Sequence, residues 1–191
     1  MSTHDPLHLF FGIKLNPELH QALSQLIEEL KQEPWGKRVM WNTNLHVTLR
    51  FLGPTKPSLL PILIERSREA IKKIASFPLQ LINIRFHPSP TAPRTIVAEI
   101  AAFSELFELA YALEEVAAKL GFTPETKPYL PYLILGQINH HHVPNLREEL
   151  KLNIESMQID EIVLFNSKKT EYNQTYEPLE RISLQKSTVK A

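Results

Sequence analysis

Two stretches of this chain repeat one pattern, and the repeat restricts the fold more than any other feature. Leu45-His-Val-Thr-Leu-Arg-Phe-Leu-Gly53 alternates, with Leu45, Val47, Leu49 and Phe51 pointing one way and His46, Thr48 and Arg50 the other. Tyr129-Leu-Pro-Tyr-Leu-Ile-Leu-Gly136 repeats its apolar frame. Each stretch follows a strand and a helix: Leu7–Leu15 and the helix opened by Pro17 in the first case, Thr95–Ile100 and Phe103–Leu120 in the second. Neither a Gly/Ser-rich linker nor a charge run separates the two units. The simplest architecture is two similar lobes sharing a central cleft, with residues 1–191 forming one bilobal domain.

The remaining elements follow from local pattern. Asn16 is placed to cap the first helix, with Pro17 at its first position and Leu19, Leu23, Leu26, Ile27 and Leu30 at helical spacing. A second helix is expected near Ser58–Ala75, with Leu59, Leu60, Ile62, Leu63, Ile71 and Ile74 on one face. Pro78–Phe86 and Arg94–Ile100 read as strands joined by the stiff proline-rich loop of residues 87–93. The third helix stops at Gly121, a left-handed cap. Tyr129–Ile138 reads as a strand, Val143–Leu150 as a short helix and Ile159–Phe165 as a strand. A polar loop, Asn166–Thr175, then leads to a last strand, Tyr176–Leu184.

Composition narrows the function. The formal net charge is +0, so the chain has no broad basic surface for non-specific nucleic-acid binding, and any RNA contact must be local. There are no cysteines, which excludes disulfides, thiolate zinc sites and a thiol nucleophile, and which fits a reducing cytoplasm. The N-terminus has no signal-peptide pattern, and no apolar run approaches the ~18 residues of a membrane span. Only five glycines argue against a glycine-rich phosphate loop.

The chemistry sits on the first repeated strand. Next-nearest residues on one strand face are roughly 6.5 Å apart, so the His46 imidazole and the Thr48 hydroxyl can touch one phosphate. Taken alone, such a row is more often the polar outer face of an ordinary strand.

Asn44-Leu-His-Val-Thr-Leu-Arg-Phe-Leu-Gly53 resembles the first His-x-Thr motif of the two-histidine (2H) phosphoesterase superfamily, in its bacterial RNA 2′,3′-cyclic phosphodiesterase or 2′-5′ RNA ligase branch. The likeness extends along nearly the whole chain. Leu7–Leu15 with Asn16-Pro17 looks like the family's opening strand and helix start, and Pro93–Val97 like its middle strand. Phe122–Pro131 looks like the approach to a second motif, and Ile162–Ser167 with Tyr176–Leu179 like the closing strand pair. The resemblance implies an α+β fold of two pseudo-symmetric lobes, with antiparallel sheet and outer helices around a cleft. Each lobe gives one His-x-Thr. It makes His46 the donor of a proton to the departing ribose oxygen and Thr48 a phosphate ligand. It implies no metal or cofactor, RNA ends or small cyclic-phosphate nucleotides as partners, a monomer and a cytoplasmic location.

At the second motif the chain departs from the family. The positions of the second histidine and threonine hold Tyr132 and Ile134, and Gln137 stands where a basic residue is often found. A phenol, with a pKa of about 10, is a poor base at neutral pH, and a hydrocarbon side chain cannot hydrogen-bond a phosphate. Losing a general base typically costs 10²–10⁴-fold, and losing a phosphate contact about 10² more. The expected protein therefore binds a 2′,3′-cyclic phosphate and hydrolyses it weakly to a 2′-phosphate. The alternatives are a catalytically retired nucleotide- or RNA-binding module and a transferase or ligase for which one histidine suffices.

Other residues have plainer readings. His140-His141-His142 suggests a metal site or replacement base, but an extended strand puts it about 25 Å beyond Tyr132, so solvated loop histidines are expected. His87, before Pro88, reaches a cleft mouth or is a loop histidine. Arg50 and Arg94 either neutralise phosphate charge or face solvent. Lys168-Lys169 with Tyr172 reads as a hairpin tip or a basic, aromatic rim for RNA. Trp35 and Trp41 are expected in the core.

Overall fold

A computed structural model describes residues 6–138, 149–169 and 174–186. Among these, β1 (Leu7–Lys14), β2 (Val39–Trp41), β3 (His46–Thr55), β5 (Leu81–His87), β6 (Thr95–Ile100), β7 (Tyr132–Ile138), β8 (Glu149–Lys151), β10 (Glu161–Lys169) and β11 (Gln174–Ser183) form one sheet. Its order is β11-β10-β1-β3-β7-β6-β5-β8, with β2 beside the far end of β7, and every pairing between these strands is antiparallel. A separate ribbon joins β4 (Phe77–Leu79) to β9 (Met157–Ile159). The helices are α1 (Pro17–Lys31), α2 (Leu60–Ile71) and α3 (Ser104–Lys119). The fold is α+β.

Local chemistry explains the helices. Asn16 is extended, and its side-chain oxygen accepts the Leu19 N–H at 2.8 Å while Pro17 occupies the first turn. Leu19, Leu23, Ile27 and Leu30 of α1, Leu63 and Ile71 of α2, and Leu106, Leu109 and Leu113 of α3 enter one core cluster. That cluster also takes Leu9, Phe11 and Ile13 of β1, Val47 and Leu49 of β3, and Leu133 and Leu135 of β7. All three helices thus cover one face of the sheet, and His46, Thr48, Tyr132 and Ile134 project from the other.

The two central strands are built alike. Each shifts register against its outer neighbour at the same point of its motif. Gly12↔Thr48 is followed by Phe11↔Arg50, and Val97↔Ile134 by Ile96↔Gly136. Leu49 and Leu135 are the extra residues of two equivalent β-bulges. A Cβ on Gly12 would lie 2.8 Å from the Val47 carbonyl oxygen, so β1 approaches the first bulge as closely as only glycine allows.

Several elements differ from expectation. The strand read over 78–86 is broken at Gln80, where β4 leaves for its own ribbon and β5 joins the main sheet; the Gln80 amide bonds the Ile154 carbonyl at 3.1 Å and its own carbonyl accepts Ala101 N–H. α2 is shorter than read, because Pro57–Leu59 form a 3₁₀ turn before it. Of the expected helix at 143–150, only Glu149 and Leu150 are described, and they lie in β8 paired with β5. The loop expected over 166–175 is mostly strand, since β10 and β11 pair from Glu161↔Ser183 to Lys169↔Gln174. Trp35 is buried and packs edge-on against Phe86, with ring centroids 5.3 Å apart, while Trp41 is half-buried beside it.

Candidate active site

The sheet register sets the two motifs side by side. Val47 pairs with Leu133, the pair that joins β3 to β7. In antiparallel register His46 then stands across from Ile134, and Thr48 across from Tyr132, all on the face without helices. Both strands run half-buried, buried, half-buried, buried through His46–Leu49 and Tyr132–Leu135.

His46 is held from three sides. Its Nδ1 lies 2.7 Å from the Asn44 carbonyl oxygen. A carbonyl can only accept, so Nδ1 carries the proton and Nε2 is the working nitrogen. Nε2 is 3.2 Å from Thr48 Oγ1. Aromatic rings close around the imidazole: Phe10 at 5.0 Å and Tyr176 edge-on at 4.8 Å between centroids, with Phe165 stacked on Phe10 behind. Burial by these rings lowers the His46 pKa below its usual value, and the Asn44 bond only partly opposes this. The resting ring is neutral at pH 7, and the Thr48 hydroxyl donates to Nε2.

The loop that orients His46 is tied to the second motif. Asn42 Nδ2 donates to the Ile134 carbonyl at 3.0 Å, and Asn42 Oδ1 accepts the Asn44 N–H at 3.0 Å. From the other side the Tyr129 hydroxyl donates to the Thr48 carbonyl at 3.2 Å. Desolvation, with charge repulsion from Tyr132 second, raises the Tyr129 pKa, so its proton is firmly held for that bond.

Arg50 does not stand in the row with His46 and Thr48. The bulge at Leu49 inverts the alternation, so Phe51 joins Phe10 on the helix-free face at 5.6 Å and Arg50 turns toward α3. There its Nε pairs with the Glu114 carboxylate, and its two terminal nitrogens bond the Phe51 carbonyl and, at 2.6 Å, the Thr123 carbonyl. With only 8 % of its side chain exposed, Arg50 ties β3 to the helix layer.

The second half of the face carries its own polar set. Tyr132 is opposite Glu99 in the ladder, Glu99 Oε2 is 3.0 Å from Arg85 Nε and 3.4 Å from Asn83 Nδ2, and the His87 ring stacks on Tyr132 at 6.1 Å between centroids. Arg94 is exposed. Lys168 pairs with Glu177 at 2.7 Å, and Tyr172 and His140–His142 lie outside the described residues. The second motif's Ile134 offers no polar atom beyond its backbone. Sequence pattern did not single out Phe10, Tyr176, Asn42, Asn44 or Tyr129 for the site, since each acts through a contact distant in sequence or through its main chain. Among the described residues no group of three or more His, Cys, Asp or Glu is arranged to hold a metal ion, and no helix is long and apolar enough to cross a membrane.

Known proteins share the fold and part of the sequence. A family model described as "LigT like Phosphoesterase" matches residues 13–97. An RNA 2′,3′-cyclic phosphodiesterase of Methanothermobacter thermautotrophicus is 24 % identical over 176 residues, covering 90 % of this chain and 95 % of that protein. One of Geobacillus stearothermophilus is 27 % identical over 168 residues; the match takes in 85 % of this chain but 54 % of that longer protein. Among solved structures, TT0787 of Thermus thermophilus superposes with a TM-score of 0.80 at 22 % identity, covering 94 % of this chain and 99 % of that one. E. coli LigT in its apo form gives 0.78 at 22 % identity, covering 95 % and 99 %. E. coli LigT has also been solved with 3′-AMP.

Proposed function

We propose that this chain, a homologue of the LigT-like 2H phosphoesterases, binds 2′,3′-cyclic phosphate ends of RNA or small cyclic nucleotides and hydrolyses them slowly to 2′-phosphates. The observation that carries the reading is the Val47↔Leu133 pair, which brings His46-Val-Thr48 beside Tyr132-Leu-Ile134 on one face. His46 is the proton donor to the departing 3′ oxygen. Its resting ring is neutral, so the donor form arises when the phosphate anion arrives: an opposite charge within a few ångströms raises an imidazole pKa. Thr48 then turns its hydroxyl from Nε2 to a phosphate oxygen, and Nε2–H is left to face the leaving group. Tyr132 and Ile134 withhold the base and phosphate contact that the second motif ordinarily supplies, which slows turnover. One copy carries both motifs, so a monomer suffices, and the cytoplasm is where RNA ends of this kind would meet it.

The test is hydrolysis of 2′,3′-cyclic AMP by wild type, His46→Ala and the double variant Tyr132→His/Ile134→Thr, with calorimetric titration of 2′-AMP. Slow wild-type turnover, abolished in His46→Ala and raised at least about 100-fold in the double variant, is expected. Turnover that survives His46→Ala refutes the role of His46. Binding with no turnover in any of the three variants favours the retired binding module, for which Ile134 is the supporting observation.

A further inference from the structure

The base missing at position 132 has a neighbour with the same chemistry. We propose that His87 supplies the second imidazole of this site and accepts the proton of the attacking water; the proposal rests on the cyclic-phosphate reading above.

His87 ends β5, two strands away from the motif strand, and in the ladder it stands opposite Thr95 while Tyr132 stands opposite Glu99. The side chains nevertheless meet. The two rings stack with centroids 6.1 Å apart and planes inclined by 26°. Three groups near position 132 can be compared. A phenol, the group Tyr132 carries, is a poor general base near neutral pH. The Glu99 carboxylate is engaged through Oε2 by Arg85 and Asn83. The His87 ring is exposed, and among the described residues no side chain or backbone group hydrogen-bonds it. It is therefore the group there with a nitrogen lone pair available to water. Imidazole is also the side chain suited to taking up and releasing a proton near neutral pH.

Stacking gives the ring an orientation without occupying its nitrogens. Tyr132, at the place of the usual histidine, acts as a platform that steers a second imidazole toward the same phosphate. In the step itself one water proton passes to the free nitrogen of His87 as the water oxygen bonds to phosphorus. The bond from phosphorus to the 3′ oxygen breaks, and that oxygen keeps the electron pair and takes the proton of His46 Nε2. The products are a 2′-phosphate and a 3′-hydroxyl. Both imidazoles regain their starting states by proton exchange with solvent.

The test compares wild type with His87→Asn in hydrolysis of 2′,3′-cyclic AMP across pH, with 2′-AMP affinity measured on the same preparations. In His87→Asn, kcat is expected to fall about 100-fold, 2′-AMP affinity to stay within about threefold, and the acid limb of the kcat profile to vanish. That limb is the signature of a base that must be unprotonated. Retained affinity also shows that the variant is folded. Unchanged kcat and an unchanged acid limb, in an enzyme that His46→Ala inactivates, overturn the His87 role and leave the cyclic-phosphate reading standing. Loss of 2′-AMP affinity together with turnover overturns it too, by making His87 a ligand contact. A wild type that neither turns over the cyclic nucleotide nor binds 2′-AMP overturns the reading of the site, and this proposal with it.

Discussion

Replacing Arg50 by methionine separates two roles that the sequence leaves open for it. If Arg50 braces β3 to α3, its loss damages stability and spares ligand binding; if it holds phosphate, the reverse follows. The structure sets the size of the first effect. The Arg50 side chain is 8 % exposed and its partner Glu114 26 % exposed. Breaking a buried pair by removing one partner costs about 3–5 kcal/mol, but Glu114 regains some water, which lowers this to about 2. Two carbonyls, of Phe51 and Thr123, also lose a charged donor, at about 0.5–1 kcal/mol each. The sum is about 3 kcal/mol, which for a chain of this size lowers Tm by about 6–12 °C. Urea melts of Arg50→Met, and of Arg50→Met with Glu114→Leu, measure it. The second variant removes the stranded carboxylate and should recover about half of the loss. Titration with 2′-AMP should give wild-type affinity for both. Weakened 2′-AMP binding in an Arg50→Met protein that melts like wild type would refute the brace.

Two further predictions follow from burial. His46 titrates below the usual histidine range in the fold, so between the unfolded value of about 6.5 and the lower folded value the unfolded chain binds more protons. Stability is therefore full above pH 6.5 and declines as pH falls through that window; His46→Gln should flatten the decline in melts taken from pH 7.5 to 5, and NMR should show the wild-type His46 pKa rising when inorganic phosphate is added. The Ser67 hydroxyl in α2 is fully buried with no hydrogen-bond partner among the described residues, so Ser67→Ala should stabilise the protein by about 1 kcal/mol in the same denaturant assay.

Helices α1 and α3 were legible because their signals are local. Asn16-Pro17 fixes the start of α1, and the spacing of Leu19, Leu23, Ile27 and Leu30 fixes its buried face. The alternation of His46, Val47 and Thr48 was legible for the same reason. It failed at Arg50, just past the bulge residue Leu49, because the bulge is a response to β1: the close approach of Gly12 to Val47 belongs to the pairing of two strands and leaves no period in either. The break at Gln80 is likewise set from outside, by β9 drawing β4 away. For the site, His46 and Thr48 stood out by residue type and context. Phe10 and Tyr176 read as ordinary core or strand residues until the fold laid them on the imidazole, and His87 read as either a cleft-mouth or a loop histidine until its ring met Tyr132.

The pairing of Val47 with Leu133 has a mechanical consequence. A sheet resists bending across its strands through its rungs, and between β3 and β7 that resistance is concentrated at one rung, stiffened by the Asn42 and Tyr129 cross-ties. A line of low stiffness thus runs through the middle of the sheet, with His46 and Thr48 on one side of it and Tyr132 and Ile134 on the other. A bound phosphate that touches both strands acts as an additional rung. Its binding free energy is expressed partly as rigidity, so hydrogen exchange along β3 and β7 should slow on ligand addition more than in the outer strands.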